Sequence, residues 1–197
     1  MEQLFEALIT DFIRDKVGIA EHFLSPELAF HLKENLITAF AENKFHEAGT
    51  GNSTIVHQDQ NNRSDSIYWL DRLHNDTFEH EFFKLMDAFV LFLNATCYTG
   101  ITDYEFHYTL YEKGSFYKKH FDQFRSNDSR QYSMIMYLNS NWQKDDGGEL
   151  CIYHEHTLQT ISPENGKLVF FKSNELLHEV LTTQVPRMSI TGWLKTG

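Results

Sequence analysis

The spacing of apolar residues changes once along this chain of 197 residues, close to Thr102. Upstream of Thr102 the apolar residues recur at helical spacing, which is typical of amphipathic helices. Ser25 and Pro26 mark the start of one such helix, because serine is a good N-cap and proline fits the first turn. Downstream, apolar and polar residues alternate as in strands. We therefore expect helices over about 4–13, 25–43 and 77–96, a short strand within 18–24, and a mainly β second half.

Length and charge limit the classes of protein to which the chain can belong. A chain of 197 residues can bury a sizeable core. We expect a single domain over 1–197, with a helical, lid-bearing part over 1–100 and a β core over 101–197. The formal net charge of −11 argues against a nucleic-acid partner, because phosphate contacts require clustered Lys and Arg.

The expected location follows from apolar runs and cysteines. No stretch approaches the apolar length of a membrane-spanning helix, so we expect no membrane association. The N-terminal segment is acidic and amphipathic, unlike a signal peptide. Cys97 and Cys151 form no recognisable disulfide framework. These features predict a cytoplasmic protein, since thiols stay reduced in that compartment.

The most informative polar motif is His-x-Asp. It occurs three times among eleven histidines, beginning at His57, His74 and His120. Only His120 lies in a stretch with strand character, 115–122, where residues two apart point to the same side. His120 and Asp122 would then face one point, and His178 could add a second imidazole. Two imidazoles and one carboxylate are the set that binds a non-haem Fe(II) and leaves positions open for chemistry.

Arg187 follows His178 by nine residues, at the start of a predicted strand. The period of two places it on the same face as Ser189, Thr191 and Trp193. If that face is interior, Arg187 is a buried cation, which is unfavourable without a partner. A bound dicarboxylate would supply the partner by a two-pronged contact. The alternative interpretation is an exposed arginine on an edge strand.

Several motifs match one family in order and spacing. They are residues 63–70, 117–122, 136–139, 147–150, 170–171 and 178–193, together with Tyr111. With these motifs, the stretch from about Asn62 to Gly197 resembles the prolyl 4-hydroxylase group of Fe(II)/2-oxoglutarate dioxygenases. It is most similar to the hypoxia-sensing protein prolyl hydroxylases and their bacterial relatives. One departure is the turn between Tyr111 and His120, which is one residue shorter here.

The resemblance implies a mostly β fold with packed helices. Its core would be a double-stranded β-helix, or jelly roll, with about three helices of the N-terminal half outside. It also implies that His120, Asp122 and His178 bind Fe(II). The co-substrates would be 2-oxoglutarate and O2, with ascorbate as a candidate reductant.

The same resemblance assigns roles in the pocket. Arg187 would pair with the distal carboxylate of 2-oxoglutarate, and Tyr137 would donate its phenol to that carboxylate. Thr191 would line this pocket. Tyr111 and Trp193 would line the space between the metal and the substrate.

The function implied is that of an oxidoreductase, a dioxygenase that 4-hydroxylates a prolyl residue and releases succinate and CO2. The partner would be a protein or peptide with an exposed proline, and Arg63 and Asp65 would lie on the substrate side. One alternative is hydroxylation of a free amino acid or small metabolite. Another is a catalytically silent sensor that binds metal or 2-oxoglutarate.

Two other polar segments support weaker hypotheses. The long polar loop 49–66 is predicted to close over a polypeptide substrate. His154 and His156 lie at a predicted hairpin tip, where a solvated turn is favoured over a second, cupin-like metal centre.

Overall fold

The computed structural model describes residues 1–49, 61–123 and 128–197. Helices α1, α2 and α3 span Glu2–Asp15, Pro26–Ala41 and Thr77–Cys97. Strands β1 to β11 span Val17–Ala20, His46–Glu47, Ser66–Trp69, Asp103–Tyr111, Tyr117–His120, Arg130–Tyr137, Leu150–Tyr153, Leu158–Ile161, Leu168–Lys172, Leu177–Val180 and Arg187–Lys195. Short 3-10 turns occupy Arg72–His74 and Lys144–Asp146.

The predicted helices are present, and two of them begin at side-chain caps. Ser25 Oγ accepts a hydrogen bond from the amide of Leu28 at 3.1 Å, and Pro26 opens α2. The carboxylate of Asp76 accepts the amides of Phe78 and Glu79, each at 2.9 Å. Such caps satisfy amides that have no partner inside the helix. No described helix has the length and apolar character needed to cross a membrane.

The strands form two antiparallel sheets. The larger sheet has the order β1-β9-β6-β11-β4-β3-β2, and the smaller has the order β5-β10-β7-β8. The expected double-stranded β-helix with three external helices is therefore confirmed. Strands β1, β2 and β3 come from the first hundred residues, so the N-terminal half also supplies strands to the larger sheet.

Two apolar cores hold the layers together. The first lies between the helices and the larger sheet and includes Phe82, Phe89 and Phe106. The second includes Ile135 and Ile152, from one sheet each. Burying a large apolar side chain contributes roughly 1.5–3 kcal/mol. The first core therefore takes one face of the larger sheet, and the second core, between the two sheets, forms part of the interior of the β-helix.

Strand β4 shows this division of faces clearly. Phe106, Tyr108 and Leu110 belong to the core beneath the helices. The alternate residues Glu105, His107, Thr109 and Tyr111 line an internal cavity. The alternation predicted from the sequence thus separates a structural face from a face available to ligands.

Parts of two predictions cannot be placed. Residues 50–60, which form most of the loop predicted to close over a polypeptide, lie outside the described residues. The motif that begins at His57 lies there as well.

Candidate active site

His120, Asp122 and His178 converge on one point. One ligand atom from each lies within 4.8 Å of the other two. Asp122 Oδ1 is 3.4 Å from His120 Nε2 and 3.6 Å from His178 Nε2. His120 and His178 are direct partners in the antiparallel pair β5–β10, which brings the two imidazoles together. Residues 58 positions apart in sequence thus form one cluster.

The route by which Asp122 reaches this cluster differs from the prediction. The strand expected over 115–122 ends at His120, and Asp122 lies just beyond it. The amide of Asp122 donates a hydrogen bond to the carbonyl of Ser173 at 3.1 Å. A tertiary contact, rather than the period of two, therefore positions this carboxylate.

Hydrogen bonds orient all three side chains. The Nδ1 atoms of His120 and His178 lie 2.7 and 3.0 Å from the carbonyls of Lys118 and Leu176. A carbonyl oxygen can only accept a hydrogen bond, so each Nδ1 carries a proton, and Nε2 is the nitrogen of each ring that is left for a metal. Ser133 Oγ donates to Asp122 Oδ2 at 2.6 Å, which leaves Oδ1 toward the imidazoles.

Electrostatics keep the carboxylate charged. Burial by itself would raise the pKa of Asp122, but the adjacent His178 and His120 hold that pKa well below its usual range. Asp122 is therefore an anion at neutral pH, as a metal ligand must be. Asp122 in turn raises the pKa of His178, so a metal would take the place of a proton between these side chains. Two imidazoles and one carboxylate, held by a second layer of hydrogen bonds, fit a divalent iron.

The cluster opens into a cavity of about 590 Å³. Arg187, Thr191 and Trp193 line it from β11, as the shared-face prediction requires. Apolar walls come from Ile135, Leu150 and Val180, which are all buried. The cavity therefore combines a polar strand face with apolar walls that exclude water.

Arg187 is 1% exposed, so its predicted burial is confirmed. Its Nε donates to the carbonyl of Gly148 at 2.8 Å. Its guanidinium carbon lies 4.9 and 5.0 Å from the ring centroids of Tyr111 and Tyr137. A Cβ on Gly148 would lie 3.0 Å from Arg187 Cδ, so the glycine leaves room for this side chain.

Arg187 and its neighbour Tyr137 each have a polar atom without a partner among the described residues. Arg187 Nη2 and Tyr137 Oη are buried and make no hydrogen bond with the residues that the structure describes. Leaving such donors unmet costs roughly 1–3 kcal/mol each, and more for a charged group. Tyr137 packs against Arg187 but is not among the described residues that line the cavity. An anionic oxygen acceptor beside Arg187, such as a carboxylate, would satisfy both atoms.

Tyr111 and Trp193 lie in the same cavity as the triad. They are 4% and 7% exposed. The guanidinium carbon of Arg130 lies 3.5 Å from the Trp193 ring centroid. The indole Nε1 is buried without a hydrogen-bond partner among the described residues.

Arg63 and Asp65 form a bidentate ion pair on the cavity wall. Arg63 Nε and Nη2 donate to the two Asp65 oxygens at 2.8 and 2.6 Å. The guanidinium also stacks on Tyr117 at 4.2 Å. The pair is fully satisfied within the protein, and it joins the start of β3 to β5.

Sequence reasoning missed His107 as a cavity residue, and it missed Ser133 as a partner of Asp122. His107 could have been found, because polar residues alternate with apolar ones along β4. Ser133 could not, because its contact with Asp122 depends on how the segment after β5 packs against β6, which no local pattern indicates.

His154 and His156 lie between β7 and β8, at the expected hairpin tip. His154 Nε2 pairs with Gln159 Oε1 at 3.0 Å, and the side chain of His156 is 85% exposed. Neither belongs to the metal-type cluster found in the described part of the chain.

Comparisons with known proteins agree with this site. The model of the 2OG-Fe(II) oxygenase superfamily matches residues 106–195, a range that includes the triad and Arg187. A prolyl-4-hydroxylase from Pseudomonas putida is 31% identical, with 98% of this chain and 99% of that chain covered and a TM-score of 0.88.

Two further relatives extend the comparison. A prolyl hydroxylase from Trichoplax adhaerens, solved with a hypoxia inducible factor peptide fragment, is 22% identical and has a TM-score of 0.89, with 98% and 90% of the two chains covered. At that identity the likeness concerns the fold. Prolyl 3-hydroxylase OGFOD1 of Mus musculus is 34% identical over 77 residues, which are 34% of this chain but only 14% of the mouse protein.

The identity to the Pseudomonas putida enzyme extends over essentially the whole of both chains, and the residues of the cavity fit the cofactors of the matching family. The chain therefore belongs to the prolyl hydroxylase-type 2OG-Fe(II) oxygenases, a family of enzymes that use Fe(II), 2-oxoglutarate and O2.

Proposed function

We propose that this enzyme hydroxylates a prolyl residue of a protein or peptide. His120, Asp122 and His178 would hold the iron, with the two imidazoles and one carboxylate as its protein ligands. When bound, iron with 2-oxoglutarate and O2 supplies the oxidising chemistry that hydroxylates a C–H bond and releases succinate and CO2.

The observation that carries the proposal is the pair of unmet donors beside the triad. Arg187 Nη2 and Tyr137 Oη lie in a water-poor part of the fold with no protein acceptor among the described residues. We assign both to the distal carboxylate of 2-oxoglutarate, with Thr191 lining the same pocket. A dicarboxylic acid can reach a cation at one end and the metal at the other, which a monocarboxylate cannot.

The protein's own contribution is orientation and exclusion of water. Ser133 and the two backbone carbonyls fix the ligands before the co-substrates arrive. The apolar walls limit side reactions with solvent. Tyr111 and Trp193 line the space next to the triad, where the target C–H bond must be held.

The charge pattern of the cavity favours a peptidyl proline over a free amino acid. A free amino acid carries a carboxylate that needs its own cation. Apart from Arg187, each described lysine and arginine that lines the cavity already has a carboxylate partner. These pairs are Arg63–Asp65, Arg130–Glu105 and Lys195–Glu105, at 2.6, 2.8 and 3.1 Å.

Position 4 of the proline ring is the favoured target. A relative that is 31% identical over 98% of this chain is a prolyl-4-hydroxylase, whereas the one named as a prolyl 3-hydroxylase matches only a short segment. Arg63 and Asp65 would stiffen the wall on the substrate side. The two free thiols, Cys97 and Cys151, favour the reducing cytoplasm as the location of the protein. The candidate reductant for the enzyme is ascorbate.

The test uses the full chain with Fe(II), 2-oxoglutarate, ascorbate and O2. The probes are a library of N-acetylated, C-amidated peptides with one central proline, and free proline in parallel. We expect succinate formation that a peptide stimulates, together with a mass gain of one oxygen atom on that peptide. Chromatography against 3- and 4-hydroxyproline standards assigns the ring position.

Two outcomes would contradict the proposal. Oxygen gain on free proline but on no peptide would favour the small-metabolite alternative. Binding of metal and 2-oxoglutarate without succinate formation from any probe would favour the silent sensor.

A further inference from the structure

His107 is a buried residue of the active-site cavity to which the proposed roles assign no function. It lies in β4 and is 3% exposed. Its chain neighbours Phe106 and Tyr108 pack in the core beneath the helices, so its ring faces the cavity. A buried polar ring is unfavourable unless its nitrogens find partners.

Two indole rings flank the imidazole. The ring centroid of His107 lies 5.0 Å from that of Trp69 and 5.5 Å from that of Trp193. Trp69 is 38% exposed, whereas Trp193 is 7% exposed. His107 therefore stands on the cavity wall between an aromatic ring that reaches solvent and one that does not.

Among the described residues, Nδ1 is the one ring nitrogen of His107 that has a hydrogen-bond partner. Nδ1 lies 3.0 Å from Thr109 Oγ1 and 3.3 Å from the carbonyl oxygen of Tyr108. A carbonyl can only accept, so both contacts are favourable when Nδ1 carries the proton. Nε2 then has a free lone pair, and it makes no hydrogen bond within the described ranges.

The imidazole is uncharged under physiological conditions. Burial, with the positive charge of Arg63 as a second cause, lowers the pKa of His107 to about 3. A neutral acceptor attracts an N–H group and repels the oxygen of a carboxylate.

This difference distinguishes a residue inside a chain from a free amino acid. A peptidyl proline is flanked by amide N–H groups of its neighbours. Free proline ends in a carboxylate oxygen where the following amide would be. We propose, on the basis of the prolyl hydroxylase function above, that His107 is a specificity-determining residue whose Nε2 accepts a hydrogen bond from a backbone N–H beside the target proline.

The experiment combines variants with modified peptides. His107→Leu removes the acceptor at similar size, and His107→Gln keeps a polar group near the position of Nε2. The probes are the best capped peptide from the library and two copies of it, one N-methylated at the residue before the proline and one at the residue after it. Peptide KM, kcat and 2-oxoglutarate KM are measured for each combination.

We expect His107→Leu to raise the peptide KM about tenfold, the effect of one buried hydrogen bond. The KM for 2-oxoglutarate should stay within about twofold of wild type, and His107→Gln should recover most of the loss. One of the two N-methylations should raise KM about tenfold in the wild type but have little further effect in His107→Leu.

The outcomes separate this inference from the function on which it rests. If wild-type protein hydroxylates no peptide, both fail. If it hydroxylates peptides but His107→Leu leaves the peptide KM unchanged, or if N-methylation acts equally in wild type and variant, only the role of His107 is overturned. Parallel rises in both KM values, without recovery in His107→Gln, would mean a packing role and would also overturn it.

Discussion

Asp122 depends on its neighbours for both its position and its charge. Its amide is held by Ser173, its Oδ2 accepts from Ser133, and the two imidazoles stabilise the ionised form. Hydroxyls that orient ligating carboxylates contribute to metal affinity although they do not touch the metal.

We predict that Ser133→Ala weakens iron binding by about 10–100-fold, the usual effect of losing such an orienting group. Isothermal titration under anaerobic conditions measures this. Ser25→Ala is the matched control, because it removes the α2 cap and costs about 1 kcal/mol of stability but lies outside the site. Equal metal affinity in Ser133→Ala and wild type would contradict the assigned role of Ser133.

Substitution of Arg187 should weaken the binding of 2-oxoglutarate without affecting the binding of iron by the triad. Arg187→Ala removes a charge-assisted contact of roughly 1.5–3 kcal/mol, so 2-oxoglutarate should bind about 10–100-fold more weakly while iron stays bound. Anaerobic titration measures the affinity for 2-oxoglutarate, and metal analysis measures the iron that stays bound. Arg14→Ala, at a site where the side chain is 63% exposed, is the control. Loss of iron in parallel with 2-oxoglutarate would contradict the assignment.

At the scale of elements, the paired strands β4 and β11 form part of the cavity wall. Gly192 lies opposite Phe106 in this pair. A Cβ at Gly192 would lie 2.2 Å from the carbonyl oxygen of Glu105 and 2.2 Å from Phe106 Cδ1. Backbone cannot yield as a flexible side chain can, so the strands would have to separate.

We therefore predict that Gly192→Ala destabilises the protein by about 1–3 kcal/mol, as overpacking does. Urea denaturation measures the change. Gly197→Ala is the control, since a Cβ there meets Thr102 Oγ1 only at 3.4 Å. If Gly192→Ala unfolds at the same urea concentration as wild type, β4 and β11 can move apart without loss of stability.

At the scale of the whole molecule, buried His107 links stability to pH. Its folded pKa is about 3 against an ordinary value of 6.5. Below pH 6.5 the imidazole of His107 is protonated in the unfolded chain, whereas in the folded protein it stays neutral down to about pH 3. The free energy of unfolding should therefore fall with acidification in this window, by up to about 1.4 kcal/mol per pH unit from this residue.

We predict that wild type loses about 2 kcal/mol more than His107→Gln between pH 6.5 and about pH 5. Urea unfolding of both proteins at the two pH values tests this, and the comparison cancels the titration of all other groups. Equal losses would mean that folding does not lower the pKa of His107.

Much of the fold was predictable because its signals are local. The spacing in 4–13, 25–43 and 77–96 predicted three helices, and the alternation after Thr102 predicted the strand faces. The interior position of Arg187 was favoured by its nine-residue spacing from His178, whereas the alternation around Met188 and Ile190 left an exposed edge arginine open. The domain boundaries and the closing role of 49–66 stay predictions.

The sequence by itself determined which residues are chemically suited to the site and which strand faces are apolar, because side-chain type and periodicity are properties of adjacent residues. Only the tertiary structure decided that β5 pairs with β10 and that Ser173 positions Asp122 after its strand has ended. It also decided that Arg187 and Tyr137 each keep a buried atom without a hydrogen-bond partner among the described residues. The physical reason is that hydrogen-bond satisfaction in a core depends on groups distant in sequence, which meet only when the sheets close.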